Sequence, residues 1–493
     1  MLKNKAGKGT EAFKLLSFAL LTIYFVGIAL FDGPVWCVDT NSYIDMDFSR
    51  EPLYPLFLLG LRTLFEKLNV TAIPYDLPAY LTAVIILQSL LWVFAAFHLG
   101  NYILSVTNGL GEKKSRFLSA IAMLSQVGVA GLNRFVANRG SMYSESLMTE
   151  SLAMPLYVIF TVELVKSFDH YDLRSILKLF FLGVIIGSIR KQMLVVLVTW
   201  GFASFIIHLF IKRHRSLKNF SLTVIAVVLA VVSITLVDSS YNLAVRGVFT
   251  THIGNSKGGL DTLLYSATAE DAQLFVDADP AKYPDAQALF TEIYDECAKR
   301  ELTIDYAPGY ELGTRSNVFN SDWVSMASHY ADSYDVIGFD VVLPIKEQYV
   351  AAHFPELDEV HAIIKQDEIE EFLFKTLLKN AFSKIIKGED RAVVYVLTAN
   401  ILKAFVISNA NISPRFLIMA SAFIYVLYFA VFIGLFLKKK TSQRAIVMRL
   451  MFIVMAGIAI NCVVTGSMIF PQPRYMCYGM GLFYLSLLCG ILI

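Results

Sequence analysis

Three aspartates follow the first long apolar stretch of the chain within a few residues of one another. The segment DTNSYIDMDFSREPLYP, residues 39–55, contains Asp39, Asp45 and Asp47. A positioned carboxylate can take the proton of an attacking hydroxyl group, which is a poor nucleophile near neutral pH. The three side chains are therefore candidate general bases. The alternatives are that Asp39 caps a helix beginning near Thr40, and that the other two lie in a solvated loop.

Basic residues form a second candidate set. Arg190 and Lys191 lie between two apolar stretches, and Arg474 directly precedes the last one. Arg and Lys side chains bind and stabilise an anionic phosphate, so these residues predict a site for a phosphate leaving group. The alternative is that they anchor helix ends at the membrane interface.

Two more acidic residues accompany these sets. Glu51 follows Arg50, and the two form either a positioning pair or a surface ion pair that contributes little. Glu150 lies inside the start of an apolar stretch, where an unpaired carboxylate is costly, so we expect it to have a partner or a function. An acid that activates a hydroxyl and cations that hold a phosphate suit the transfer of a sugar from a lipid phosphate.

The elements that must position these residues are membrane helices. The chain has 493 residues, of which 56% are apolar and 17% charged, and this composition is typical of a polytopic membrane protein. The net charge of +1 gives no indication of a nucleic-acid partner. Ten segments approach the roughly 20 apolar residues that a membrane helix needs. They are 13–32, 79–104, 117–133, 147–165, 175–189, 193–211, 220–238, 414–437, 445–463 and 475–493.

The distribution of Lys and Arg predicts the orientation. With the N-terminus in the cytoplasm, the basic segments 111–116, 166–174, 212–218 and 438–444 are cytoplasmic loops. The candidate acids and cations then lie together at the opposite, outer face. Charges at one membrane face indicate a site at the membrane surface, whereas a transporter more often places them near the middle of the bilayer.

The chain between spans seven and eight is polar and too long for a connector. We expect residues 239–391 to form a mixed extracytoplasmic domain between two membrane modules, 1–238 and 392–493. Two amphipathic stretches, 53–66 and 369–387, are predicted to lie in the membrane interface. Segment 392–408 is rejected as an eleventh span because it would place the basic segment 438–444 outside.

The outer face resembles that of a known family. Asp39, Tyr43 and REPLYPLFL (50–58) are similar to the first outer loop of the GT-C superfamily of integral-membrane glycosyltransferases, bacterial branch. The segments SESLMTESL (144–152), GSIRKQ (187–192) and FPQPRYMCYG (470–479) resemble later outer segments of that layout. The likeness covers most of the chain in layout but only residues 39–55 in motif, and Thr40 stands where the family often has a second acid.

This resemblance implies the roles of individual residues. Asp39 is the expected general base, and DMD at 45–47 is similar to a metal-binding DxD, so a divalent cation (Mg²⁺ or Mn²⁺) at Asp45 and Asp47 is an open possibility. Substrate contacts are expected from Tyr43, Arg50, Glu51, Tyr54, Glu150, Arg190, Lys191, Arg474 and Tyr475.

The resulting hypothesis is an inverting membrane glycosyltransferase with an all-α, GT-C-like fold. Its expected partners are a polyprenyl-phosphate-linked sugar donor, a glycan or lipid-linked acceptor, and membrane lipids. Its expected location is the bacterial inner membrane, with the site on the periplasmic face. The alternatives are an O-antigen polymerase or ligase, and a lipid-glycan flippase or other transporter that catalyses no reaction.

Overall fold

A computed structural model describes residues 8–135, 140–169, 171–211, 214–254, 258–310, 322–410, 415–438 and 441–493. Within these ranges the chain is helical and contains no β-strand; one isolated bridge pairs Val35 with Ser146. Parts of the predicted cytoplasmic loops 166–174, 212–218 and 438–444 lie outside the described residues.

The chain forms two compact units, which are described separately. The first comprises residues 1–251, 406–461 and 473–493, and the second comprises 252–405 and 462–472. The helices before the second unit are α1 (Lys8–Asp32), α2 (Thr40–Ile44), α3 (Leu53–Lys67), α4 (Ala79–Val106), α5 (Glu112–Phe135), α6 (Glu150–Ser167), α7 (Leu173–Ile189), α8 (Val195–Phe210) and α9 (Leu217–Arg246). Those that follow are α10 (Gly258–Tyr265), α11 (Ala286–Lys299), α12 (Trp323–Asp335), α13 (Leu343–His353), α14 (Glu359–Lys387), α15 (Ala392–Ala410), α16 (Arg415–Leu437), α17 (Ser442–Met468), α18 (Pro473–Met476) and α19 (Met480–Leu492).

Nine helical segments within the described ranges are long and apolar enough to cross a membrane. They are Gly9–Asp32, Ala79–Val106, Glu112–Arg134, Lys191–Phe210, Leu217–Arg246, Ala392–Ala410, Ile418–Leu437, Ser442–Met468 and Pro473–Leu492. The prediction of a polytopic all-α chain is confirmed in this respect. The predicted spans 147–165 and 175–189 correspond to α6 and α7, which are only 18 and 17 residues long. The rejected segment at 392–408 corresponds to α15, which meets the length and composition expected of a span.

Helix α4 packs at the centre of the first unit against α1, α5 and α6. It is apolar on all sides, as expected of a helix with neighbours on several faces. Its Trp92 ring stacks on Phe25 of α1 at a centroid distance of 6.0 Å, and its indole nitrogen donates to the Ser151 carbonyl oxygen at 2.9 Å. Trp92 of this helix therefore contacts both α1 and the start of α6.

Backbone hydrogen bonds join the loop after α1 to the segment before α6. The Val35 amide donates to the Glu145 carbonyl oxygen at 3.1 Å, and the Leu147 amide donates to the Val35 carbonyl oxygen at 2.9 Å. The Thr40 hydroxyl donates to the Leu147 carbonyl oxygen at 3.0 Å. These bonds bring the start of α2 beside the N-terminus of α6.

The amphipathic stretch predicted at 53–66 forms helix α3. Its Tyr54 and Leu58 are buried in the first unit, whereas Leu56 and Leu64 are exposed. Pro52 and Pro55 lie at the start of this helix, where the missing backbone N–H of proline removes no helical hydrogen bond. The placement of α3 in the membrane interface stays a prediction.

The second unit is helical where the structure describes it, so the prediction of a mixed domain is wrong for those residues. Its aromatic residues form a core between short helices. Phe275 and Phe290 stack at 4.9 Å, and Tyr265 meets Tyr330 edge-on at 5.0 Å. Helices satisfy their own backbone groups, so they can pack such side chains without strand pairing.

The predicted amphipathic helix at 369–387 is the C-terminal part of α14. Leu373 and Leu377, two apolar residues of this stretch, are buried in the core of the second unit. Phe372 stacks on Tyr283 at 4.0 Å. Phe382 and Ile386, nearer the end of the helix, are exposed. Much of the apolar face is therefore covered by protein.

A buried ion pair lies in the second unit. The Lys346 ammonium is 2.6 Å from a Glu370 carboxylate oxygen, and both side chains are almost fully buried. We expect Glu370→Gln to destabilise the protein by about 3–5 kcal/mol, because it removes the negative charge that pairs with the buried Lys346 ammonium. Glu371→Gln is the matched control, since its partner Lys375 is exposed and the loss should stay below about 1 kcal/mol. Unfolding of the two purified variants measures the difference, and equal losses would contradict this account.

Candidate functional site

Asp39 forms ion pairs with two arginines in the first unit. One carboxylate oxygen is 2.9 Å from Arg50 Nη2, and the other is 3.1 Å from Arg474 Nη1. Asp39 occupies the N-cap position of α2, but its side chain makes no capping hydrogen bond. The carboxylate thus binds the two arginines. Asp39 has the sequence position of a helix cap, but its side chain does not cap the helix.

The same arginines set the protonation state of Asp39. Burial alone would raise the pKa of this carboxyl, but the positive charges and hydrogen bonds of Arg50 and Arg474 outweigh it and hold the pKa below its usual value. Asp39 is therefore ionised at neutral pH, as a proton acceptor must be. Each of its oxygens accepts one hydrogen bond from an arginine and keeps a further lone pair, so the arginines lower the basicity of the carboxylate without blocking it.

Glu150 is the second acid of this cluster. Its side chain is 1% exposed, and one carboxylate oxygen is 2.8 Å from Arg190 Nη1 and 3.9 Å from Arg474 Nε. Arg190 Nη1 also donates to the Thr149 hydroxyl at 2.9 Å. The prediction that Glu150 has a partner is confirmed. Its place in the first turn of α6 is favourable too, because the positive end of the helix dipole stabilises an anion.

Aromatic rings support the arginines. The Tyr475 ring contacts two of them, since the guanidinium carbons of Arg190 and Arg474 both lie 4.8 Å from its centroid. Arg50 lies over the Tyr43 ring at the same distance. Tyr43 in turn meets Tyr54 edge-on at 5.0 Å, and both of these tyrosines are buried. The structure places Tyr43 and Tyr54 beneath the charged cluster as packing residues.

Glu51 and Lys191 join the same region through the backbone. A Glu51 carboxylate oxygen accepts a hydrogen bond of 2.6 Å from the Lys191 amide. This bond connects the first outer loop to the turn after α7, while the Lys191 side chain is exposed. Arg50 pairs with Asp39, so the surface ion pair with Glu51 that the sequence allowed is not the main contact of Arg50.

The Asp45 and Asp47 residues are exposed, and neither side chain has an ion pair with the arginines of the cluster among the contacts of the described residues. Asp47 accepts hydrogen bonds from the Ser49 amide at 2.8 Å and the Ser49 hydroxyl at 2.6 Å, which is a local turn contact. Among the described residues, no group of three or more His, Cys, Asp or Glu side chains is placed to hold a metal ion. The geometry of these two aspartates fits the solvated-loop alternative.

Three site residues were missed at the sequence level. Thr149 contacts Arg190, and Gln192 donates to the Asn461 side chain at 3.2 Å and to the Tyr475 carbonyl oxygen at 3.1 Å. Asn461 also donates to that carbonyl oxygen at 2.8 Å. These bonds fix the backbone next to Arg474. The available signal was Asn461 itself, an amide inside an apolar helix, where a polar side chain needs a partner.

The charged cluster and its supports come from parts of the chain that are far apart in sequence. No family model matches this chain, and no curated protein matches it either.

Contacts within the cluster restrict the number of membrane crossings. Arg190 and Arg474 both contact Glu150, so we expect these three residues to lie on the same side of the membrane. An even number of crossings must therefore separate Arg190 from Arg474. In the described part of the chain, five candidate spans lie between them, in α8, α9, α15, α16 and α17, and the candidate in α15 is the least apolar. We infer that α15 does not cross, which also keeps segment 438–444 on the side of the N-terminus.

Cysteine labelling tests this topology. Lys113→Cys and Ser442→Cys, both exposed, should react with a membrane-impermeant maleimide from one side, and the exposed Thr71→Cys should react from the opposite side. The five native cysteines are buried, so the background should be low. If Ser442→Cys reacted from the same side as Thr71→Cys, α15 would have to cross.

Proposed function

We propose that this protein is an inverting membrane glycosyltransferase of the GT-C type. It transfers a sugar from a polyprenyl-phosphate carrier to a glycan or lipid-linked acceptor outside the cytoplasm, with a bacterial inner membrane as its location. The observation that supports this function is the contact of Asp39, a candidate base, with Arg474, a candidate phosphate ligand, at 3.1 Å.

The charge of the cluster fits such a donor. The guanidinium groups of Arg50, Arg190 and Arg474 face the carboxylates of Asp39 and Glu150, so positive charge is in excess. The phosphodiester that joins a sugar to a polyprenol carries a single negative charge. A guanidinium group holds such a phosphate with paired, charge-assisted hydrogen bonds. Bound phosphate would therefore neutralise the cluster.

The reaction is a single displacement at the anomeric carbon. The acceptor hydroxyl forms the new bond from the face opposite the phosphate, and its proton passes to the Asp39 carboxylate. The bond between the anomeric carbon and the phosphate oxygen breaks, and the carrier phosphate leaves with the electron pair. Arg474 and Arg190 stabilise the charge that develops on it. One displacement inverts the anomeric configuration.

The position of the charges favours this enzyme over a transporter. Asp39 follows α1, Glu150 begins α6, Arg190 follows α7 and Arg474 lies at the start of the last span. They lie at helix ends, where a lipid headgroup and a water-soluble acceptor can meet. A transporter site near the bilayer middle would need such charges within helices.

Asp39→Asn should abolish most sugar transfer in the purified protein. The amide cannot accept the proton, and loss of a general base lowers rates by about 10²–10⁴-fold. Turnover of a polyprenyl-phosphate-linked sugar measures this. Glu66→Gln, a change at an exposed acid of α3 that pairs with Arg62, is the control and should retain the parent rate. Transfer by Asp39→Asn at the parent rate would exclude Asp39 as the base.

Arg474→Ala should weaken binding of the donor. Loss of a charge-assisted hydrogen bond of about 1.5–3 kcal/mol corresponds to roughly 10–100-fold in apparent donor affinity. Arg62→Ala, which removes an exposed arginine of α3, is the matched control. An unchanged donor affinity in Arg474→Ala would rule out the phosphate role of Arg474.

A further inference from the structure

Both carboxylate oxygens of Asp39 are in ion pairs with arginines. Arg50 holds one of its oxygens and Arg474 the other, at 2.9 and 3.1 Å. A carboxylate that receives a proton from the acceptor must present a lone pair to it, within hydrogen-bond distance. Both oxygens of this candidate base already accept from guanidinium groups, which lowers its affinity for a proton.

The two arginines are held differently. Arg50 is tied locally, because its Nε donates to the Ser42 hydroxyl at 2.7 Å, and that hydroxyl donates to the Asp39 carbonyl oxygen at 2.7 Å. Arg474 comes from the other end of the chain and lies between the two acids, with the Glu150 oxygen at 3.9 Å. Its guanidinium group shares the Tyr475 ring with Arg190. A phosphate bound by Arg190 would therefore lie close to the Arg474 guanidinium group.

We propose that the donor phosphate and the Asp39 carboxylate compete for the Arg474 guanidinium group, so that binding of the donor frees the base. This inference rests on the proposed function and adds a regulation of the same site. Phosphate and carboxylate oxygens are alternative acceptors for the same N–H groups of arginine. Arg50 stays on Asp39 and keeps it oriented, while the oxygen released by Arg474 faces the acceptor.

The exchange couples binding of the donor to proton transfer onto Asp39. Before the donor binds, the ion pair to Arg474 lowers the basicity of the Asp39 carboxylate, and loss of this pair makes Asp39 a better proton acceptor. After transfer, Asp39 regains Arg474 and thereby helps to expel the carrier phosphate. The Asp39 carboxylate is thus both the base and a competitor of the carrier phosphate for Arg474. Its removal should therefore stop transfer but tighten binding of the carrier.

Neutral substitution of Asp39 should therefore tighten binding of the carrier although it abolishes transfer. We expect Asp39→Asn to bind undecaprenyl phosphate in lipid nanodiscs roughly three- to tenfold more tightly than the wild type, as expected for the loss of one competing ion pair. Asp39→Ser, which removes the charge with a smaller side chain, should do the same. The dissociation constant reports only on the folded protein that can bind the lipid, so partial unfolding of a variant does not change it.

Two controls and two contrary outcomes complete the test. Undecaprenol has the same chain without phosphate, and its affinity should not change with the substitution; Glu66→Gln should bind undecaprenyl phosphate like the wild type. If Asp39 only positions Arg474, both neutral variants will bind the phosphate equally or more weakly, which overturns the competition and leaves the proposed function standing. If the wild type binds undecaprenyl phosphate no better than undecaprenol, the proposed function itself fails.

Discussion

The ion pair between Arg474 and the carboxylates of Asp39 and Glu150 is the interaction on which the site depends. It joins residues 435 positions apart in the sequence, since Asp39 follows the first membrane helix and Arg474 begins the last. Charges withdrawn from water are stable only when they are paired and hydrogen-bonded. Each member of the cluster therefore depends on the others for its position. A fold that separated these helix ends would leave buried charges without compensation.

The surrounding structure can be understood as support for that pairing. Backbone bonds between Val35 and residues 145–147 place the loop that carries Asp39 beside the start of α6. Gln192 and Asn461 hold the Tyr475 carbonyl oxygen, which fixes the chain next to Arg474. Polar side chains within apolar helices are costly, so such bonds are expected where they orient a site. The cluster is thereby preorganised by contacts that do not themselves touch a ligand.

The sequence predicts much of this arrangement, because its basic segments predict which helix ends share one side of the membrane. That pattern predicts that Asp39, Glu150, Arg190 and Arg474 share one face, and the structure brings these four together. The partners of each charge were not predictable, because pairing depends on ångström-scale packing of helices distant in sequence. Burial of Tyr54 and the helical second unit were missed for a related reason. Aromatic residues indicate burial, but their tertiary neighbours decide the secondary structure around them.

In the proposed exchange, the Arg474 guanidinium group gives up its ion pair with Asp39 and forms one with the phosphate of a polyprenyl carrier. The most direct measurement is an experimental structure of the protein in nanodiscs with undecaprenyl phosphate bound. The account predicts phosphate oxygens about 3 Å from the Arg474 guanidinium nitrogens, with Asp39 released by Arg474 and still paired with Arg50. A phosphate bound away from Arg474, with the ion pair between Asp39 and Arg474 intact, would contradict it.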